Sequence, residues 1–263
     1  MKGKIAMSMQ KALRLVARDF RHATAEIGRI GNLWNIAQEL PAAVTMLFDS
    51  FLANDNGSIS RHATHTHVIF MPGFFAHFGY YMRLGTYLHE HGVELIIPKN
   101  LRRNTLDWKE SRMILSDAIK ADEDATGKIP ILMGHSKGGT DILGILPNHP
   151  EIQLAIFASS PLRGDSLKAL NLYLSITSGK HRLPFDPNVL NDSKLLDKIV
   201  VAVSNHDKIV PAHEAELEGA RHTIRVEKES PLEMWHSHTG IAYHIRKEVL
   251  ATIRDNQTKV YAA

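Results

Sequence analysis

Apolar residues recur along the chain with two different periods, and the change falls near residue 60. Before it, Ile5, Met9, Leu13, Val16, Phe20, Ala23, Ile27, Ile30 and Trp34 follow one another in steps of four or three. That is the repeat of an amphipathic helix. Gly28 and Gly31 weaken or end it, and a second helical stretch follows, with Pro41 suited to a first-turn position. Asn54-Asp55-Asn56-Gly57-Ser58 then reads as a turn or linker. Beyond it the pattern becomes short apolar runs: Val68–Met71, Val93–Ile97, Ile129–Met133, Leu154–Ala158 and Ile199–Val203. Ile, Val and Leu dominate these runs with little polar alternation, as in strands buried on both faces of a parallel sheet. A sixth run, Arg221–Glu227, alternates Ile224 and Val226 with polar residues and suits an edge. Helical stretches fall between them at about 77–91, 107–125, 138–147 and 211–218.

Strand alternating with helix is the signature of an α/β fold. The expected organisation is an N-terminal helical segment over residues 1–60 and an α/β domain over 61–263, with a mostly parallel sheet flanked by helices. One interval breaks the rhythm, because residues 162–197 separate two buried strands with more chain than a crossover needs. Asp165 can cap a helix containing Leu167, Leu170 and Leu174, and the stretch from Gly179 to Pro187 is irregular by composition. This interval is expected to be a small cap or lid inserted beyond the carboxyl edge of the sheet, where ligands bind in such folds.

Composition narrows the chemistry. With 263 residues, 44% of them apolar, the chain can bury a sizeable core. Cysteine is absent, which removes disulfides, thiolate metal sites and a cysteine nucleophile. No run of eighteen apolar residues occurs, so no membrane-spanning helix is expected. The net charge of +3 is unevenly spread: residues 1–30 hold seven basic residues against Asp19 and Glu26, and the rest of the chain is slightly acidic. A global nucleic-acid binder does not look like this, and no nucleic-acid partner is expected. The basic helix has two readings, packing on the main domain or peripheral contact with an anionic membrane surface through residues 1–30. Gln10, Lys11 and Arg14 interrupt any signal-peptide core, so the expected location is cytoplasmic. Among the 16 histidines, His62, His65 and His67 are closely spaced. No carboxylate is near them in sequence, so the expectation is a solvated strand start and no metal.

The strongest motif follows the third run. It reads Gly134-His135-Ser136-Lys137-Gly138-Gly139 and leads into a helical stretch from Thr140. A serine on a sharp strand-to-helix turn projects its hydroxyl clear of the backbone, and glycines avoid collisions with the neighbouring strand and helix. A serine hydroxyl is a weak nucleophile, so it needs a base and an acid that orients the base. Asp207 lies just beyond the run Ile199–Val203, and His236 and His238 follow later in the chain. The Lys137 side chain is expected to be solvated, and Phe75, Phe78 and Tyr81 are expected to be core.

In these blocks the sequence resembles the α/β-hydrolase superfamily, within it the lipase- and esterase-like serine hydrolases, over roughly residues 64–255. The blocks are Val68-Ile69-Phe70-Met71-Pro72-Gly73-Phe74-Phe75, the Gly134–Gly139 turn, Ser159-Ser160-Pro161-Leu162-Arg163-Gly164-Asp165, and Asp207 with Val210-Pro211 followed by His238-Thr239-Gly240-Ile241. Two positions depart from the family: Pro72 stands where it usually has His, and Ser204 where a Gly often precedes the acid by three. The resemblance implies an α/β-hydrolase fold with a nucleophile elbow. It implies a carboxylic ester hydrolase using a catalytic triad of Ser136, Asp207 and His238, with an oxyanion hole from the backbone N–H groups of Phe74 and Lys137. It favours His238 over His236 as the base, because the family histidine usually opens a helix. No cofactor is implied, and the substrate expected is a small-molecule or lipid ester. The same machinery serves acyltransferases and thioesterases, and a non-catalytic binding protein on this fold is the alternative of another class.

Overall fold

The computed structural model describes residues 66–262, apart from 75, 77, 102–103, 165, 169, 171–183, 228–237 and 239. The N-terminal helices expected over residues 1–60 and much of the expected cap lie outside the described residues.

All six apolar runs form strands: β1 (Thr66–Met71), β2 (Val93–Ile96), β3 (Ile131–His135), β4 (Ala155–Ala158), β5 (Ile199–Ser204) and β6 (His222–Val226). They pair in the order β2-β1-β3-β4-β5-β6, every pair parallel, with β6 at the edge as its alternating pattern predicts. Successive side chains of a strand point to opposite faces, so each strand feeds two cores. Val68 and Phe70 of β1 pack on one face with Ile241, Ile245, Val249 and Ile253. Ile69 and Met71 pack on the other with Leu115, Ile119 and Ile142.

Helices connect the strands. They are α1 (Met82–Glu90, after a 3₁₀ turn over Phe78–Tyr81), α2 (Trp108–Thr126), α3 (Lys137–Leu143), the short α4 (Ser193–Leu196), α5 (Ala212–Ala215) and α6 (Ile241–His244), and finally α7 (Arg246–Ala262). Asp107 caps α2, its side chain accepting from the N–H groups of Lys109 and Glu110. Gly127, at φ 68°, ends that helix in the left-handed conformation. Helix α7 is not among the expected elements, although Ile245, Val249 and Ile253 carry its four-residue spacing. The interval expected as a cap contributes Phe185, Val189, Leu195 and Leu196 to the core beneath α2 and α3.

The strand order places the site. From β1 the chain crosses outward to β2, then returns to the other side of β1 to form β3. Connections leaving the carboxyl ends of β1 and β3 therefore diverge and leave a crevice between them, the usual ligand position in an open parallel sheet. Pro72-Gly73-Phe74 leaves β1 at that crevice, and Ser136 leaves β3.

Candidate active site

Ser136 joins β3 directly to α3. Its backbone stands at φ 52° and ψ −126°, a conformation non-glycine residues rarely adopt. Two backbone bonds pin it there: its N–H donates to the Ala158 carbonyl at 2.9 Å, and its carbonyl accepts from the Gly139 N–H at 3.1 Å. The turn is tight enough that a methyl group on Gly138 would overlap the Met71 carbonyl oxygen of β1. Gly73 is needed on the facing side for the same reason. A Cβ there would lie 2.9 Å from His135 Nδ1 and 3.1 Å from Ser136 Cβ. The segment leading to Phe74 thus rests directly against Ser136.

Asp207 follows the carboxyl end of β5 and is buried. One carboxylate oxygen accepts from the N–H groups of Ile209 and Val210, each at 2.8 Å, and the other lies 2.8 Å from His238 Nδ1. Burial alone would raise the Asp207 pKa, but the facing His238 and these hydrogen bonds hold it below the usual carboxylate range. An ionised carboxylate accepts only, so Nδ1 of His238 carries the proton of that bond. The loop is braced from the segment that follows β4: the Leu162 N–H donates to the Glu214 carbonyl at 3.1 Å, and the Ser166 N–H to the Glu214 Oε2 at 3.0 Å. His238 lies just before α6, with its ring centroid 4.7 Å from that of His135, the residue preceding Ser136. The structure therefore brings Ser136, Asp207, His238 and Gly73-Phe74 to one end of the sheet. His236 lies outside the described residues.

Two expectations are corrected. Lys137 is not solvated: its side chain is fully buried, with Nζ 2.7 Å from Asp141 Oδ2, 2.8 Å from Asn104 Oδ1 and 4.8 Å from the centre of the Trp108 ring. Burial lowers its pKa, against the opposing pull of Asp141. Asn104 Nδ2 donates to Asp141 Oδ2 at 3.0 Å and to the Pro72 carbonyl at 2.8 Å, and Ser111 Oγ donates to Asp141 Oδ1 at 2.6 Å. This network joins the start of α3 to the segment that leaves β1. Nor is His67 a solvated strand start. It is 6% exposed, with Nδ1 2.8 Å from Asp122 of α2 and Nε2 3.6 Å from Glu94, its register partner on β2. Both carboxylates come from distant sequence. Among the described residues no group of histidines and carboxylates has the arrangement of a metal site.

Tyr81 is core, as expected, but its hydroxyl is engaged. The Gly73 N–H lies 3.0 Å from Tyr81 Oη, which lies 2.8 Å from His135 Nδ1, and His135 Nε2 lies 2.7 Å from the His238 carbonyl oxygen. Burial, followed by the neighbouring His238, lowers the His135 pKa to about 3. Sequence reasoning gave neither Tyr81 nor His135 a role. The available signal was a histidine closing a strand otherwise filled by apolar residues.

No family model and no curated protein matches the sequence. Solved structures do. Est1E from Butyrivibrio proteoclasticus aligns over 75% of this chain and 90% of its own at 12% identity, TM-score 0.51. A structure from the metagenome-derived lipolytic enzymes LipS and LipT aligns over 73% and 94% at 16% identity, TM-score 0.52. The pyrethroid hydrolase PytH aligns over 73% and 97% at 15% identity, TM-score 0.50. Likeness at such identities speaks for architecture, and it agrees with the six-stranded parallel sheet flanked by helices. The chain has the α/β-hydrolase fold.

Proposed function

We propose that the protein is a serine hydrolase of carboxylic esters, with small-molecule or lipid esters as substrates. The observation that carries this reading is the 2.8 Å link between His238 Nδ1 and Asp207, beside the strained Ser136 turn. With Nδ1 bonded to the carboxylate, Nε2 is the ring atom that takes a proton. Ser136 Oγ attacks the ester carbonyl and gives its proton to Nε2, and Asp207 stabilises the imidazolium that forms. The backbone N–H groups of Phe74 and Lys137 bind the developing oxyanion. The imidazolium protonates the leaving alcohol, giving an acyl-Ser136 intermediate. Water, deprotonated by the same Nε2, then releases the acid and restores the serine. A lipolytic enzyme and a pyrethroid hydrolase among the structural neighbours fit this chemistry.

The test is hydrolysis of a short p-nitrophenyl ester by the wild type and by Ser136→Ala. The expected loss in kcat is at least about 10³-fold, with fluorophosphonate labelling abolished. Equal turnover by the two proteins overturns the reading.

A further inference from the structure

The deduced chemistry needs the oxyanion donors and the base to stand at fixed distances from Ser136, yet they arrive on loops far apart in the chain. Residues 73 and 238 are joined by one buried polar chain. We propose that Tyr81 and His135 are positioning residues, forming a strut from the Gly73 N–H through the Tyr81 hydroxyl and the His135 imidazole to the His238 carbonyl, which sets the spacing between oxyanion segment and base. The proposal rests on the ester-hydrolase reading and adds to it two residues that touch no substrate.

The direction of every bond in the strut follows from its last member. A carbonyl oxygen only accepts, so His135 Nε2 must carry a proton at 2.7 Å from His238. In a neutral imidazole Nδ1 is then bare and accepts from the Tyr81 O–H at 2.8 Å. The Tyr81 oxygen in turn accepts from the Gly73 N–H at 3.0 Å. All donors and acceptors are used with no conflict. The groups facing His135 are Tyr81, His238 and, through His238, Asp207. Burial keeps the ring neutral, its pKa lowered to about 3.

Packing alone does not call for these polar groups. Tyr81 is 2% exposed with its ring 4.4 Å from that of Phe70, a place a phenylalanine fills equally well. His135 is the last residue of a strand buried on both faces, where an apolar side chain is the rule. What the hydroxyl and the imidazole add is the connection between the two loops.

Tyr81→Phe removes one oxygen and keeps the ring. It is expected to lower kcat about 10- to 100-fold, the scale of a misplacement near 1 Å, with KM changed less than about twofold. His135→Leu should do the same. His135→Gln keeps an N–H within reach of the His238 carbonyl and should regain about tenfold in kcat over His135→Leu. The double variant Tyr81→Phe/His135→Leu should match the weaker single variant within about threefold, because both cut one chain. Long-range proton–nitrogen NMR of the wild type should show His135 as the neutral Nε2–H form at pH about 5. Unchanged kcat in Tyr81→Phe, additive losses in the double variant, or an Nδ1–H or charged His135 at that pH each overturns the strut. Should Tyr81→Phe fail to fold, the His135 pair and the spectrum decide alone. Failure of the ester-hydrolase reading shows separately, as turnover that survives Ser136→Ala, and the spectrum then still decides the strut.

Discussion

Replacing Lys137 by methionine keeps the length of the side chain and removes its charge from a place no water reaches. The Lys137 and Asp141 side chains are both 0% exposed, and Nζ donates at 2.7 Å to a carboxylate whose other oxygen accepts from Ser111. Removing one partner of such a pair costs about 3–5 kcal/mol, and because the Arg112 guanidinium still attracts Asp141 the lower end of that range is expected. Asn104 Oδ1 loses its donor as well, and the Trp108 ring loses a cation. With a urea slope of about 1–3 kcal/mol/M, the unfolding midpoint of Lys137→Met should fall by about 1–2 M or more. The double variant Lys137→Met/Asp141→Leu exchanges the pair for apolar groups and should regain most of that loss, since a buried ion pair is often no more stable than a well-packed apolar one. Equilibrium urea unfolding followed by tryptophan fluorescence measures all three proteins. A cost below about 1 kcal/mol for Lys137→Met, or no recovery in the double variant, refutes the buried pairing.

Asp207→Asn should lower kcat about 10³- to 10⁴-fold with little change in KM, since the amide no longer holds the His238 Nδ1–H tautomer or stabilises the imidazolium; steady-state ester hydrolysis checks it, and a loss under tenfold sinks the role. His135, its pKa lowered from 6.5 to about 3 in the folded protein, takes up a proton first in the unfolded chain. Its stabilising contribution is therefore full above pH 6.5 and lost as pH falls from there toward 3, at up to about 1.4 kcal/mol per pH unit; urea unfolding of His135→Gln should show a shallower acid slope, and an identical slope contradicts the assignment. Gly138→Ala drives a methyl group into the Met71 carbonyl and should cost about 1–3 kcal/mol or more, read as a fall in Tm; an unchanged Tm counts against the tight turn. Loss of residues 1–30 should abolish co-sedimentation with anionic vesicles if the +5 charge of that segment mediates membrane contact, and binding equal to that of the full chain rejects it.

The strands were legible because burial on both faces demands unbroken apolar runs, and such runs are local. Their ends were less so. Ile129 is 36% exposed and β3 begins at Ile131, past Pro130, whose ring removes a ladder donor. The Ser136 turn was equally legible, since two glycines and a serine between strand and helix are a local steric requirement. Lys137 and His67 were not. A charged side chain at a helix start or strand start is ordinarily solvated, and what buries these two is contributed by Asn104, Ser111, Trp108, Glu94 and Asp122, all from other elements. Even so, Lys137 and Asp141 stand one turn apart within a helix whose other residues are apolar or small, and that arrangement is a local hint of burial.

The same distinction separates the two halves of the site. Ser136 is held by the backbone around it: a strand before, a helix after, and bonds to Ala158 and within its own turn. Its position depends on β3, β4 and α3 and on the close approach of Gly73 and Met71. His238 and the segment before Phe74 are also held by side chains from distant parts of the chain. Each lies on a loop, and a loop must be fixed by side chains from elsewhere. For His238 these are the Asp207 carboxylate on its ring and the His135 imidazole on its carbonyl; for the segment before Phe74 they are Asn104 on the Pro72 carbonyl and Tyr81 on the Gly73 N–H. The Ser136 turn is read from its motif, whereas the side chains that hold His238 and the segment before Phe74 are read only from coordinates. By the same reasoning, substitutions that impair function without unfolding the protein should concentrate at Tyr81, Asn104 and His135, and conservative changes there should act on turnover through geometry rather than on substrate affinity.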